Sequence, residues 1–273
     1  MTDSSVTEST AGNRAAWNQA AQKYVQESDE LLAEATETES LAAPEIAVLG
    51  PLLRDRPRVV HLMSGHGLDD LDLVRRGAGH VVGLDFSEVT AGAAGRRAAA
   101  VGLRCAYVVA ELPPVPLRDA CADLVYTGKG ALNWLTDLTA WAGEVARILA
   151  PGGHLLVHEA HPMVPLWTWD ADEPRIRPDR SYFAETHVND TFPGHGAVEH
   201  QWTLGQIVTA LAGAGLALVS LTEHPEPFWR PGDVEAAVWQ GRLPNTYTLL
   251  ARRTGPASRT RPVNHLGAVG PGH

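Results

Sequence analysis

From residue 57 onward, short apolar runs alternate with stretches of helical period, and this alternation limits the possible folds more than any other feature. Five apolar runs predict strands: RVVHLM, HVVGLD, CAYVVA, ADLVY and HLLVHEA. Helices are predicted between them at 67–76, 88–101 and 132–149. Apolar strands separated by helices are typical of a parallel sheet that is covered on both faces. The sequence therefore predicts a doubly wound α/β fold.

The segments on either side of this pattern complete a single predicted domain from residue 13 to residue 254. Residues 13–55 have helical spacing and predict a helical cover that precedes the sheet. A helix at 206–214 and two strands, LALVSLTEH and NTYTLLARR, bring the predicted sheet to seven strands, mostly parallel. The polar residues 1–12 and the Gly-, Pro- and Arg-rich tail 255–273 are predicted to be disordered.

Residues 160–204 have little periodicity and predict a lid that is inserted after the fifth strand. Long irregular segments in compact domains are usually lids, binding loops or disordered, and richness in aromatic residues argues against disorder. The aromatic side chains here and nearby predict a pocket for a small molecule; they are Trp134, Trp167, Trp169, Tyr182, Trp202 and Trp229. The alternative is that these rings only pack the lid and the helices onto the sheet.

Composition excludes several classes of function. The net charge is −10 with neutral histidines, the arginines are scattered, and the lysines are Lys23 and Lys129 alone. Nucleic-acid-binding proteins usually carry a basic stripe, so no nucleic-acid partner is predicted. No run approaches the roughly 18 apolar residues of a membrane span, and the start resembles no secretory signal, so a cytoplasmic location is expected. Cys105 and Cys121 lie in or beside apolar runs and predict packing rather than a metal site.

A glycine pair and an acid follow the first two predicted strands. Gly65 and Gly67 come after the first strand, where main chain without side chains can approach a ligand. The helix that follows directs free N–H groups at the same place, which favours an anionic group. Asp85 ends the second strand, where a carboxylate can accept two hydrogen bonds from a ribose diol. Together they predict a nucleoside-type cofactor at the crossover of the sheet.

Dinucleotide-binding loops have the pattern G-x-G-x-x-G/A, and here the third glycine position is Asp70. An acid there disfavours close packing of the helix on the strand and repels a pyrophosphate. A nicotinamide dehydrogenase is therefore a weak alternative, and the Gly-Lys-Ser/Thr ending of a Walker loop is absent.

From about Trp17 to Arg252 the chain resembles class I S-adenosylmethionine-dependent methyltransferases, especially those that act on small molecules. The segments that carry the resemblance, in the family's order, are AAWNQAAQKY, HLMSGHG, VVGLDFS, YVVAELPPVPL, ADLVYTGKGALNWLTD and ARILAPGGHLLVHEAHP. The family's first strand often carries an acid and a further glycine, where this chain has His61 and Met63.

The resemblance implies a cofactor role for the loop of Met63, Gly65 and Gly67, with the main chain of the two glycines against the methionine part. Asp85 would hold the ribose, and Phe86 would pack on the adenine. The alternative for Asp85 is that it only caps the helix that begins near Ser87.

The resemblance further implies that Glu111, flanked by Ala110 and Leu112, accepts a hydrogen bond from the adenine amino group. Thr127 and Gly128 would line the cleft near the sulfonium. Tyr24 would close over the methionine end. Glu111 as a solvated loop acid and Tyr24 as plain packing are the alternatives.

Methyl transfer is an in-line displacement that needs alignment and, for a protonated nucleophile, a base. The predicted bases are His161 and His200, with catalysis by proximity alone as the alternative. The expected function is O- or N-methylation of a small organic acceptor in secondary metabolism, by a monomer or homodimer without a metal, with S-adenosylhomocysteine as product. A non-catalytic S-adenosylmethionine-binding scaffold, or an enzyme that uses the bound sulfonium for a cyclisation, are the other hypotheses.

Overall fold

A computed structural model describes residues 3–37, 39–167, 175–227 and 241–254 of the chain. Trp169, Trp229 and the tail 255–273, for which the sequence makes predictions, lie outside the described residues. The strands are β1 (Arg58–Leu62), β2 (His80–Asp85), β3 (Cys105–Val109), β4 (Ala122–Gly128), β5 (Leu149–Ala160), β6 (Thr186–Val188), β7 (Val198–His200), β8 (Leu216–His224) and β9 (Thr246–Arg253). The helices are α1 (Asp3–Ala20), α2 (Gln22–Gln26), α3 (Ser28–Glu37), α4 (Ala43–Leu53), α5 (Leu68–Arg75), α6 (Glu88–Ala100), α7 (Leu138–Ile148) and α8 (Leu204–Gly213).

Seven of these strands form one twisted sheet in the order β3-β2-β1-β4-β5-β9-β8. The strands β1 to β5 pair in parallel, and β9 runs antiparallel to both of its neighbours. The chain builds outward from β1 to β3 and then returns to β4, so the strand order reverses between β1 and β4. The predicted doubly wound, mostly parallel sheet is confirmed, and the crevice for a ligand lies at the carboxyl ends of these two strands.

Apolar side chains cover both faces of the sheet, as the continuous apolar strands predict. On one face, Val60 and Leu62 pack with Val125 and with the helix residue Trp141, all buried. On the other face, the buried side chains of alternate strand residues pack beneath α4; they are Val59, Val81, Leu124, Tyr126 and Leu156. A slip of one residue in a strand that is buried on both faces would turn every side chain toward the opposite face of the sheet. Packing on the two faces therefore fixes the register and the positions of the strand ends.

The segment before β1 consists of four helices rather than one continuous stretch. α1 begins at Asp3, which corrects the prediction of disorder for residues 3–12. Asn13 and Ala16 are buried and fix the helix on the rest of the molecule. No proline interrupts the chain between them and the N-terminus, so the helix continues in that direction. Among the described helices, none combines the length and the apolar character that crossing a bilayer requires.

The predicted insertion after the fifth strand lies between β5 and α8. It contains a 3-10 turn at Val164–Leu166 and a small antiparallel pair, β6 and β7. We call residues 186–200 the lid hairpin. Its role as a lid stays a prediction, but its position over the carboxyl end of β5 puts it beside the crevice.

Candidate active site

The glycine loop follows β1 with two residues in the left-handed region. Gly65 has φ +55°, and a Cβ added there would meet nothing within 4 Å. Gly67 has φ +80°, and a Cβ there would lie 2.5 Å from the Tyr107 hydroxyl and 2.7 Å from the Ala94 Cβ. Gly65 therefore leaves its main chain open to a ligand, whereas Gly67 is needed for the packing of the loop on α6 and β3.

Met63 also adopts a left-handed conformation, with φ 56°. Its side chain is half-buried and packs against the core cluster beside the sheet. A non-glycine residue there is uncommon and costs about 1–3 kcal/mol unless its surroundings hold it in place. Packing of the thioether on the core holds the loop where the resembled family often uses a glycine.

Asp85 stands at the carboxyl end of β2, 6% exposed, and contacts the glycine loop. Its Oδ2 accepts from the Gly65 N–H at 3.0 Å, and its Oδ1 accepts from the Ser87 N–H at 2.9 Å. Burial raises its pKa to about 6. The cap of α6 is Ser87, whose Oγ accepts from the Thr90 N–H at 3.2 Å, so Asp85 is not there merely as a helix cap.

The predicted adenine end lies where β2 and β3 finish. Phe86 is half-buried, and the Ala110 N–H donates to the Asp85 carbonyl at 2.9 Å. Glu111 is exposed, with Oε2 4.0 Å from an Arg14 guanidinium nitrogen of α1. Leu112 follows, half-buried. This end of the crevice is open, and α1 lies across it.

The helical cover touches the glycine loop through Tyr24. The Tyr24 ring lies 5.0 Å from the His66 ring in an edge-to-face contact. Burial raises the pKa of Tyr24 to about 12 and lowers that of His66 to about 4, so both side chains are neutral at pH 7. The structure thus places Tyr24 at the loop that the sequence assigns to the methionine part of the cofactor.

An aromatic cluster links the cover, the turn after β4 and the lid hairpin. The Trp17 ring lies 5.6 Å from Trp134 and 5.2 Å from Phe192, edge-to-face in both cases. Trp134 belongs to a 3-10 turn (Leu132–Trp134) rather than to the predicted helix over 132–149, because α7 begins only after its N-cap, Asp137. Trp134 therefore packs neither in a helix core nor alone, but against the cover.

The side chain of Thr127 does not face the cleft, which corrects the prediction for that residue. Thr127 is fully buried, and its hydroxyl donates to the Leu62 carbonyl at 2.9 Å, joining β4 to β1. A Cβ on Gly128 would lie 2.1 Å from the His158 carbonyl oxygen. Close approach of the β5 main chain thus accounts for the glycine without any ligand.

His61 and Asp70, two residues that depart from known patterns, form a buried pair. The His61 Nδ1 lies 2.7 Å from the Asp70 Oδ1, and the two side chains are 3% and 0% exposed. Burial raises the pKa of Asp70, and the neighbouring His61 opposes that rise. The Asp70 carboxylate, which the sequence predicts would repel a pyrophosphate, is therefore directed at His61 under the glycine loop.

Glu159 organises the turn that follows β4. Its carboxylate accepts three main-chain N–H groups, from Gly130 at 2.6 Å, Ala131 at 2.7 Å and Leu132 at 2.9 Å. Burial raises its pKa, and these hydrogen bonds oppose the rise. Because its oxygens are occupied, Glu159 positions the residues that come next in the turn, Asn133 and Trp134.

A cavity of about 80 Å³, with room for several water molecules, lies between this turn, the end of β5 and the lid hairpin. Nine side chains in its wall are polar or aromatic: Asn133, Glu159, His161, His187, Glu199, His200, Gln201, Trp202 and Tyr247. Of the predicted acceptor-binding residues that the structure describes, Trp202 lines it. Trp134, Trp167 and Tyr182 are not in its wall; the Tyr182 ring instead packs at 5.2 Å on the exposed Phe183.

The two predicted bases differ in what their nitrogens contact. The His161 Nε2 lies 2.9 Å from a Glu223 carboxylate oxygen, and its Nδ1 accepts from the Met163 N–H at 3.2 Å. His200 stacks on Trp202, with ring centroids 5.5 Å apart, and its buried Nε2 has no partner within the described residues. Burial lowers the pKa of both. His200 therefore retains a free nitrogen, whereas His161 does not.

Sequence reasoning missed a third histidine in this wall. The His187 Nε2 lies 2.6 Å from the Glu199 Oε2. The sequence contained a signal, because THV and VEH flank a run of Asn, Asp, Pro and Gly typical of a hairpin turn. Pairing those two short runs would have set His187 opposite Glu199.

Comparison with known proteins gives a consistent result. Residues 61–157 match the methyltransferase domain family. The chain is 37% identical over 106 residues to a demethylmenaquinone methyltransferase from Thermus thermophilus, covering 38% of this chain and 48% of that protein. It is 30% identical over 159 residues to a ubiquinone/menaquinone biosynthesis C-methyltransferase from Acidiphilium cryptum, covering 52% of this chain and 62% of that protein.

These alignments span less than two thirds of the length of either curated relative. A solved structure covers more: an S-adenosylmethionine-dependent methyltransferase from Mesorhizobium loti superimposes with a TM-score of 0.58 at 27% identity. That superposition covers 74% of this chain and 96% of the other.

Proposed function

We propose that the chain is a class I S-adenosylmethionine-dependent methyltransferase that transfers a methyl group from S-adenosylmethionine to a small organic acceptor, as its matches to a methyltransferase domain and to methyltransferases support. The observation that carries the proposal is the Asp85 carboxylate, which is buried at the end of β2 and hydrogen-bonded to the glycine loop. It sets a ribose acceptor and an open stretch of main chain side by side at the crossover of the sheet.

The residues present fit this cofactor. An ionised carboxylate has about four lone-pair directions, and the Gly65 and Ser87 N–H groups use two of those on Asp85, which leaves others for a ribose diol. The space beside Gly65 is open for the methionine part, and the exposed Glu111 carboxylate, which lies 4.0 Å from Arg14, has lone pairs left to accept from an adenine amino group. Bound there, S-adenosylmethionine supplies a methyl carbon that its sulfonium has already activated.

What remains for the protein is alignment and the exclusion of water. Tyr24 and Trp17 of the cover, with Phe192 of the lid hairpin, form an apolar wall next to the glycine loop. Holding two reactants in line is worth up to about 7–11 kcal/mol in well-oriented reactions. We assign that role to the cover and the lid hairpin together.

The cavity between the lid hairpin and β5 is the proposed acceptor site. Its indole and imidazole rings suit a small planar molecule. Oxygen and nitrogen are the acceptor atoms that the sequence favours, and the names of the curated relatives, which concern quinone biosynthesis and C-methylation, add carbon. A cytoplasmic enzyme of secondary metabolism, monomeric or homodimeric, remains part of the proposal.

Asp85→Ala tests the cofactor site. It should weaken S-adenosylhomocysteine binding by about 1–3 kcal/mol in calorimetry, because hydrogen bonds to an ionised group are lost.

In the unsubstituted protein, the affinity for S-adenosylhomocysteine should fall by about tenfold per pH unit below the Asp85 pKa of about 6, since a protonated carboxyl accepts less well. Asp123→Ala, which removes an exposed acid paired with Arg58, is the control and should leave affinity unchanged. Unchanged affinity in a folded Asp85→Ala variant would remove Asp85 from the site.

Transfer itself is tested with S-adenosylmethionine carrying a radiolabelled methyl group and a panel of phenols, hydroquinones and amines. The proposal expects label in an acceptor and release of S-adenosylhomocysteine. Tight cofactor binding without transfer to any acceptor would favour the non-catalytic scaffold, and an altered acceptor beside unchanged cofactor would favour the cyclisation.

A further inference from the structure

The lid hairpin sets a histidine and a carboxylate directly opposite each other. In the antiparallel pairing of β6 and β7, His187 is the register partner of Glu199. Side chains opposite each other on such a pair lie on the same face and interact. Here the His187 Nε2 and the Glu199 Oε2 are 2.6 Å apart, and the two side chains are 9% and 12% exposed.

The second oxygen of Glu199 is held by two side-chain amides. Its Oε1 accepts from Asn133 Nδ2 at 2.7 Å and from Asn189 Nδ2 at 2.9 Å. Asn189 is itself buried, and its Oδ1 accepts the Gly194 N–H at 2.9 Å, which fixes the amide orientation. Because amide nitrogens only donate, this carboxylate oxygen accepts from both of its side-chain partners.

The protonation pattern of His187 follows from that carboxylate. An ionised Glu199 accepts, so the Nε2 of His187 carries a proton, and in the neutral ring the Nδ1 carries the lone pair. Within the described part of the chain, Nδ1 has no hydrogen-bond partner, and His187 lies in the wall of the acceptor cavity. A ligand in that cavity would therefore meet an imidazole whose Nδ1 is not engaged by any described residue.

The other histidines in the wall are arranged differently. Both nitrogens of His161 are engaged by Glu223 and Met163. His200 has a free Nε2, but none of the hydrogen bonds of the described residues joins it to a carboxylate. Only a base that is paired with a carboxylate keeps its tautomer and gains stabilisation as it becomes charged.

We propose that His187 takes the proton from a methyl-accepting substrate that carries an acidic hydroxyl, a phenol or an enol. Glu199 positions the His187 imidazole for this step. This rests on the proposed methyl transfer. The hydroxyl proton moves to the His187 Nδ1. The oxygen then forms its bond to the methyl carbon, whose former bonding pair stays on sulfur. The step ends with a methyl ether, a neutral thioether and an imidazolium beside the Glu199 carboxylate.

The test uses 4-nitrophenol, whose phenolate absorbs visible light, added to the full chain saturated with S-adenosylhomocysteine at a pH below the pKa of the free phenol. The unsubstituted protein should bind it as the phenolate. His187→Ala should lose that absorbance, and added imidazole should restore it, which a purely structural role would not allow. Glu199→Gln should also lose it, since an amide cannot stabilise the imidazolium.

His195→Asn is the matched control. His195 is exposed on the same hairpin with φ 53°, a conformation that asparagine tolerates, and the variant should keep the phenolate absorbance. Calorimetry with S-adenosylhomocysteine checks that each variant is folded. An unchanged phenolate signal in His187→Ala, or no bound phenolate in the unsubstituted protein that still binds S-adenosylhomocysteine, would overturn this inference alone. If the unsubstituted protein does not bind S-adenosylhomocysteine, the proposed function is overturned, and this inference with it.

Discussion

The His61 imidazole and the Asp70 carboxylate meet 2.7 Å apart beneath the glycine loop, both shielded from solvent. His61 stands where the family often has an acid, and Asp70 stands where dinucleotide-binding loops have a third glycine. Considered separately, each substitution would place an unmatched polar group under the loop. Considered together, they form one hydrogen-bonded pair between β1 and α5. This pair supports the glycine loop from beneath.

At this scale we predict that His61→Ala destabilises the protein by about 3–5 kcal/mol, because it leaves the Asp70 carboxylate buried without its partner. Replacing both residues by alanine should cost less than the sum of the single changes His61→Ala and Asp70→Ala. Urea denaturation of the four proteins measures the coupling. Additive costs would show that the pair does not act as a unit.

The same variant has a defined pH dependence. Burial raises the pKa of Asp70, and without His61 the opposing contribution is gone. A carboxyl whose pKa is raised in the folded state binds its proton more tightly there than in the unfolded chain. Stability therefore falls as the pH rises from the pKa of Asp70 in the unfolded chain to its pKa in the folded protein. The deficit of His61→Ala should therefore shrink at acidic pH.

Between elements, one asparagine of the cover makes a pair of hydrogen bonds to the lid hairpin. The Asn13 side chain accepts from the Val198 N–H and donates to the Val198 carbonyl, both at 2.8 Å. It thus occupies both main-chain groups of one residue on β7, as a neighbouring strand would. Together with Trp17 against Phe192, this couples α1 to the lid hairpin across the crevice.

Asn13→Ala should free that edge of β7. We expect faster amide hydrogen exchange at Val198 and a loss of about 1–3 kcal/mol in local stability, the scale of two hydrogen bonds. S-adenosylhomocysteine affinity should fall as well, since the cover no longer closes against the hairpin. Gln19→Ala, at an exposed position of the same helix, is the control. Exchange at Val198 that matches the control would show that the cover and the hairpin move independently.

For the whole molecule, the proposed cofactor site lies between segments that are distant in the chain: the glycine loop, the end of β2 and the N-terminal cover. A ligand that contacts all of them only in the folded state stabilises the fold. S-adenosylhomocysteine at about a hundred times its Kd should contribute about 2.7 kcal/mol, or a rise in Tm of roughly 5–10 °C. NAD at the same concentration should give no rise in differential scanning calorimetry. An equal rise with NAD would restore the dinucleotide alternative.

The sequence alone determined the fold class and the strands of the seven-stranded sheet, and it carries the resemblance to the methyltransferases. These follow from local features: apolar runs that must be buried on both faces, helical periods between them, and motifs whose order along the chain is preserved. The positions of Gly65 and Asp85 at neighbouring strand ends follow for the same reason, because parallel strands in a doubly wound sheet end on the same edge.

Only the tertiary structure decided which polar groups face each other. Thr127 bonds to β1, Glu159 caps the turn after β4, His61 pairs with Asp70, and His187 pairs with Glu199; each partner lies on another element. A side chain's chemistry depends on burial and on the groups within hydrogen-bonding distance, and packing sets both. Periodicity along the chain carries the direction of a side chain relative to its own element but not the identity of what packs against it.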